Sequence, residues 1–219
     1  MIPEKAALLK RLEKGGFNVP EFIYVSAVDF KKENFKALEA FLDRHRESFK
    51  VIARSAHLKE EFFKGGTFDS LEIYADLGGI KYARKKIINL AKTAKQLSIR
   101  RQQIFSNAPD IDLENMGMIV MPFISGTSVM AKMIGNRWEF GYCRDRSHKI
   151  QRDPYITRTP HDISLLQLSE DIQKYLGYPC EIEFVISEHG EIYVVQAKDI
   201  SDIETIELKL GERSIHLDG

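Results

Sequence analysis

The chain has 219 residues, 43% hydrophobic and 29% charged, with a mean hydropathy of −0.28, which is enough to bury a sizeable core in one large domain or two packed lobes. Its 32 basic residues balance 32 acidic ones, which argues against a general nucleic-acid binder, whose affinity rests on neutralising phosphates. The two cysteines, Cys143 and Cys180, lack metal-type spacing and suit a reducing compartment; no apolar run approaches the ~20 residues of a membrane span, and the charged N-terminus lacks a signal-peptide core, so a cytoplasmic protein is expected.

In chain order, residues 5–14 put Ala6, Leu8, Leu9 and Leu12 on one helical face, and Gly15-Gly16 stops that helix. Val19-Pro20 is extended and residues 22–25 read as a strand. Residues 35–46 form an amphipathic helix through Leu38, Phe41 and Leu42, and 49–53 a short apolar strand running into Arg54-Ser55. Gly65-Gly66-Thr67, flanked by aromatics, predicts a glycine-tipped loop entering a strand at Phe68, Leu71 and Ile73. Gly78-Gly79 is expected to break the chain before a long basic helix over 80–105, and 107–110 is a turn. On that helix the clusters Arg84-Lys85-Lys86 and Arg100-Arg101 read as solvated faces.

Residues 116–124 are the most apolar window, a buried strand that Pro122 must end or turn into an edge. A hairpin is expected over 128–143 with Gly135-Asn136 at its turn, a helix over 164–176 capped by Gly177, and a second hairpin, 180–187 with 191–196, around Glu188-His189-Gly190. The tail 206–217 suggests one more hairpin about Gly211. Without regular alternation of strand and helix, the pattern predicts an α+β molecule of two lobes, dividing near residues 121–124.

Chemistry concentrates in the second hairpin. Glu181 and Glu183 share one strand face, and an antiparallel partner brings Gln196 beside Glu183 and Lys198 beside Glu181. Two carboxylates and an amide oxygen are hard ligands suited to magnesium shared with nucleotide phosphates. A solvated strand face with a cross-strand ion pair accounts for the same spacing, so both readings stand on these residues alone. His57, three residues after Arg54, reads as a surface histidine more readily than a phosphate contact, and the polar stretch holding His148 and His161 reads equally as a substrate loop or a disordered segment.

Several segments together resemble the nucleotide-binding domain of the phosphoenolpyruvate synthase and pyruvate phosphate dikinase family. Glu181-Ile182-Glu183-Phe184 is similar to the family's Asp-Ile-Glu-aromatic strand, and Gln196-Ala197-Lys198 to its Gln-x-Arg strand. Val51-Ile52-Ala53-Arg54-Ser55-Ala56 resembles its apolar run into Arg-Ser-Ser, residues 62–70 its glycine flap, and 118–124 its hinge strand. Lys5-Ala6-Ala7-Leu8-Leu9 with Gly16-Phe17-Asn18-Val19-Pro20-Glu21-Phe22 resembles its opening elements, and all occur in the family's order across nearly the whole chain.

The resemblance implies an ATP-grasp fold: an N-terminal lobe over 1–122, a C-terminal lobe over 123–219 and a nucleotide cleft between them. It implies ATP and Mg2+ as ligands. Arg54 and Lys198 would be catalytic; Lys5, Arg54, Gly65, Gly66 and Thr67 would meet the phosphates; Met121, Pro122, Phe123 and Ile124 would form the adenine hinge. Glu181, Glu183 and Gln196 would hold the metal. The implied function is magnesium-dependent phosphotransfer to a separate acceptor, a phosphohistidine-carrying protein or a small molecule. Glu181 stands for the family's aspartate, Lys198 for its arginine and Ala56 for its second serine, departures that also fit a non-catalytic ATP-binding module. Nothing resembles the family's phosphohistidine or phosphoenolpyruvate-binding domains.

Overall fold

A computed structural model describes residues 2–58, 70–102, 112–134, 136–143 and 160–201, with main chain only at 94–102, 134 and 143. Its contacts divide the chain into two units, Met1–Ala7 with Pro20–Phe123 and Leu8–Val19 with Ile124–Gly219. Helix α1 (Glu4–Lys14) contributes to both lists, since the division falls after Ala7.

In the first unit, strand β1 (Ile23–Val25) leads into the short helix α2 (Ala27–Lys32), opened by a capping box in which Asp29 N–H donates to Ser26 Oγ and Ser26 N–H to the Asp29 carboxylate. Helix α3 (Lys36–Arg44) buries Leu38, Phe41 and Leu42, the expected stripe. Strands β2 (Lys50–Ala56), β3 (Ser70–Tyr74) and β4 (Gly117–Pro122) complete an antiparallel sheet in the order β1-β4-β2-β3. Central β4 is buried from Gly117 to Met121, as the apolar window requires, and it ends at Pro122, which has no N–H to give.

Helix α4 (Leu77–Gln102) presses Ile80, Ala83, Ile87, Ile88 and Ala91 into this core beside Val51, Ala53, Met118 and Val120. Gly78-Gly79 lies inside the first turn of α4 instead of breaking the chain. Asp76 accepts the Gly79 N–H at 2.6 Å, and a Cβ on Gly79 would stand 2.7 Å from the Tyr74 carbonyl, so glycine here permits close approach within a helix start.

The second unit is built on the sheet β6-β5-β7-β8, with β5 (Gly126–Ile134), β6 (Arg137–Cys143), β7 (Cys180–Ser187) and β8 (Ile192–Asp199) all antiparallel. Helix α5 (Asp162–Leu176) covers one face, its Leu165, Ile172 and Leu176 packing with Leu8 and Leu12 of α1 against Val129, Ala131, Ile182 and Phe184. Gly177 ends α5 at φ +81, as expected of a C-terminal glycine. The expected flap at 62–70, up to the Ser70 that begins β3, the turn at 107–110 and the tail hairpin at 206–217 lie outside the described residues.

Candidate functional site

The β7–β8 hairpin owes its register to its turn. Ser187 N–H donates to the Glu191 carbonyl, Gly190 N–H to the Ser187 carbonyl, and the Ser187 hydroxyl accepts from His189 and Glu191 main-chain N–H groups, while Gly190 takes φ +83. The turn sets Ile186 opposite Ile192 and Phe184 opposite Val194, and beyond a register shift Glu183 stands opposite Gln196 and Glu181 opposite Lys198. These are the pairings expected from the sequence. All four side chains are half-buried, alternating along β7 with Cys180, Ile182 and Phe184, which point into the core.

One device makes this possible. After Glu183 the register shifts, so that Phe184 opposes Val194 and Val195 is the extra residue of a β-bulge. In an unbroken strand Val194 and Gln196 would share a face. The bulge lets Val194 stay buried in the core while Gln196 joins Glu183 on the opposite face. The adjoining strand adds Met130, directly opposite Glu183, and two residues further Lys132, whose cross-strand partner is Glu139. On this face Glu139 and Lys132 form one opposed pair and Glu181 and Lys198 another, a patch of alternating charge beside the Glu183–Gln196 pair.

No group of three or more His, Cys, Asp or Glu among the described residues could hold a metal ion. The candidate donors are thus a carboxylate pair and an amide. Glu183 and Gln196 face each other as hard oxygen donors on a half-buried face, an arrangement that fits magnesium, which takes one or two carboxylates and completes its shell with phosphates and water.

In the first unit, Arg54 occupies the end of β2, opposite Ile119 of β4 and Ser70 of β3. Strand alternation turns it to the side of Ile52 and Met121, away from the core residues Val51, Ala53 and Val120. Lys5, in the first turn of α1, reaches the fully buried Ser55 hydroxyl at 3.5 Å, so its ammonium meets the strand end beside Arg54, on the side of the neighbouring residue. His57 is 5% exposed, correcting the surface reading: its Nε2 lies 2.9 Å from the Asp112 carbonyl, an acceptor, so Nε2 carries the proton.

Met121 is buried, whereas Pro122, Phe123 and Ile124 are half-exposed. The Phe123 N–H donates to the Lys50 carbonyl at 3.2 Å and the Lys50 ammonium stands 5.8 Å from the Phe123 ring. A base edge along 121–124 would therefore be met by main-chain groups other than the Phe123 N–H. Gly65, Gly66 and Thr67 lie outside the described residues. Met130 and Lys132 escaped the sequence reading because alternation along β5 shows two faces without saying which belongs to the core; the hairpin register supplies that.

No protein-family model and no curated protein matches the sequence. Solved structures resemble it. The D-alanine–D-alanine ligase of Coxiella burnetii matches with a TM-score of 0.50 and 13% identity over 91% of this chain and 48% of that one. The corresponding ligase of Bacillus anthracis, solved in complex with ATP, gives 0.51 and 13% over 90% of this chain and 54% of that one. The VanG D-Ala:D-Ser ligase of Enterococcus faecalis gives 0.51 and 14% over 90% and 52%. The chain spans about half the length of these proteins. At such identities the likeness carries the fold and nothing finer: two antiparallel sheets with their helices make this chain an α+β protein of the ATP-grasp fold.

Proposed function

We propose that this chain binds ATP with magnesium and passes the terminal phosphoryl group to a separate acceptor, in the manner of the nucleotide domain of phosphoenolpyruvate synthase and pyruvate phosphate dikinase. The observation that carries the reading is the pairing of Glu183 with Gln196, brought onto one face by the bulge at Val195. The sequence resemblance supports it, as does a fold shared with a ligase solved with ATP.

In this reading the 1–122 lobe supplies phosphate- and adenine-binding groups and the 123–219 lobe the metal ligands. Glu183 and Gln196 hold the metal, which when bound neutralises phosphate charge, and Glu181 supports it from the neighbouring position. Arg54, always charged, forks onto phosphate oxygens. Lys198 adds a point charge, Lys5 assists at the β2 end, and Gly65, Gly66 and Thr67 close over the phosphates with main-chain N–H groups. The 121–124 strand end receives the adenine. In-line phosphoryl transfer needs little beyond such positioning and charge. The acceptor is a histidine of a separate protein or a small molecule.

A second reading, ATP binding without turnover, is favoured by Lys198, which cannot fork as the family's arginine does. Measuring ATP consumption over a panel of acceptors separates the two. The phosphotransferase reading expects magnesium-dependent consumption that Glu183→Gln and Arg54→Ala each reduce by at least ~100-fold. Tight ATP binding by the wild type with no consumption for any acceptor would establish the second.

A further inference from the structure

We propose that α4 carries a docking surface for single-stranded nucleic acid, with Tyr82 as a stacking ring and Lys85 and Lys86 as phosphate contacts. The inference lies wholly within the first unit and does not depend on the proposed function.

Charge segregation is the first observation. The chain is neutral, with 32 basic and 32 acidic residues, yet the 26-residue α4 contains eight basic residues and no acidic one. The rest of the chain therefore carries the compensating excess of eight acids. A helix free of acids attracts a polyanion even though the molecule's net charge does not.

The described side chains then divide into used and available. Arg84 is structural: Nε donates to the Met116 carbonyl at 2.8 Å, one terminal nitrogen to the Glu114 carbonyl at 2.7 Å, and the guanidinium stands over the Phe30 ring. Lys81 pairs with Glu33 at 3.6 Å and Lys92 with Glu114 at 3.0 Å. Lys85 and Lys86 are exposed and have no acidic partner among the described residues. Both are helical neighbours of Tyr82, three and four positions on, and Tyr82 is 60% exposed with the Lys86 ammonium 5.8 Å from its ring.

This composition selects one occupant. Insertion into a membrane would need the apolar face of α4, but Ile80, Ala83, Ile87, Ile88 and Ala91 are already buried in the core. An acidic peptide would use the lysines and leave the ring without a role. An unpaired base stacks on an exposed ring while its backbone meets flanking ammonium groups, whereas the bases of a duplex are already stacked on each other.

The test is fluorescence anisotropy of the full chain with labelled single strands of RNA and of DNA, roughly 12 nucleotides long. A duplex of the same length, polyglutamate and vesicles containing phosphatidylserine are the other probes. Single strands are expected to bind at low salt in preference to the duplex, polyglutamate and vesicles, with the RNA and DNA arms showing whether the sugar matters. The Lys85→Glu/Lys86→Glu double variant should weaken binding at least ~10-fold and flatten the salt slope by about 1.4, two single-strand phosphate contacts. Tyr82→Ala should cost about tenfold with the salt slope unchanged. If the charge reversals prevent folding, Lys85→Gln/Lys86→Gln is read by the same slope. Absence of single-strand binding, indifference to these substitutions, or preference for polyglutamate, duplex or vesicles overturns the proposal.

Discussion

At the residue scale, two side chains have environments that set measurable chemistry. The Asp29 carboxyl is held below its ordinary range chiefly by the Ser26 hydroxyl, which with Ser26 N–H and Asn34 outweighs the opposing effect of burial. A carboxyl lowered in the folded state contributes stability above its unfolded value of about 3.9, lost as pH falls through the depressed folded value. Ser26→Ala should thus cost about 1 kcal/mol near neutrality, and the gap to wild type in urea denaturation should narrow below pH ~4. Cys180 is the opposite case: burial, then the charge of Asp199, pushes its thiol up to about 12. Peptide-level mass mapping after iodoacetamide at pH ~8 should find Cys180 unmodified in the folded chain and alkylated in denaturant, because only the thiolate reacts. Modification at equal rates in both would place the thiol at the surface.

At the element scale, glycines in superficially similar roles should differ sharply. Gly126 opens β5 at φ +147, and an added Cβ would lie 2.0 Å from the Ile186 carbonyl oxygen, a main-chain atom of the paired strand. Gly126→Ala is therefore expected to cost about 3 kcal/mol, since strain and a clash act together. Gly177 also has positive φ but nothing within 4 Å, and Gly177→Ala should cost only about 1 kcal/mol in the same denaturation experiment. Equal losses would remove the steric part of this account. Elements with strong periodicity were legible in the sequence: the α3 stripe of Leu38, Phe41 and Leu42, the apolar β4, and Gly177 after α5 all fall where the pattern puts them. Helix α2 was not, because six residues with none buried have no apolar period to read. The Gly78-Gly79 pair misled for another reason, since the need it answers is the distant Tyr74 carbonyl, a tertiary contact.

At the scale of the whole molecule, the candidate site was legible in its paired residues and not in the device that pairs them. The sequence places Gln196 beside Glu183 and Lys198 beside Glu181, as observed, although the turn-side register of Ile186 with Ile192 would by itself set Glu183 against Val195. The bulge at Val195 was hidden, because no propensity distinguishes a valine that is extra from one that is paired. The central claim, a nucleotide site built on that bulged hairpin, meets its most direct test in thermal denaturation of the full chain with and without magnesium and ATP. At a nucleotide concentration about 100 times the dissociation constant the folded state should gain ~2.7 kcal/mol, raising the melting temperature by about 5–10 °C, and Glu183→Gln should fold normally while losing the magnesium-dependent part of that rise. An unchanged melting temperature at millimolar magnesium–ATP, or a rise that Glu183→Gln leaves intact, would contradict it.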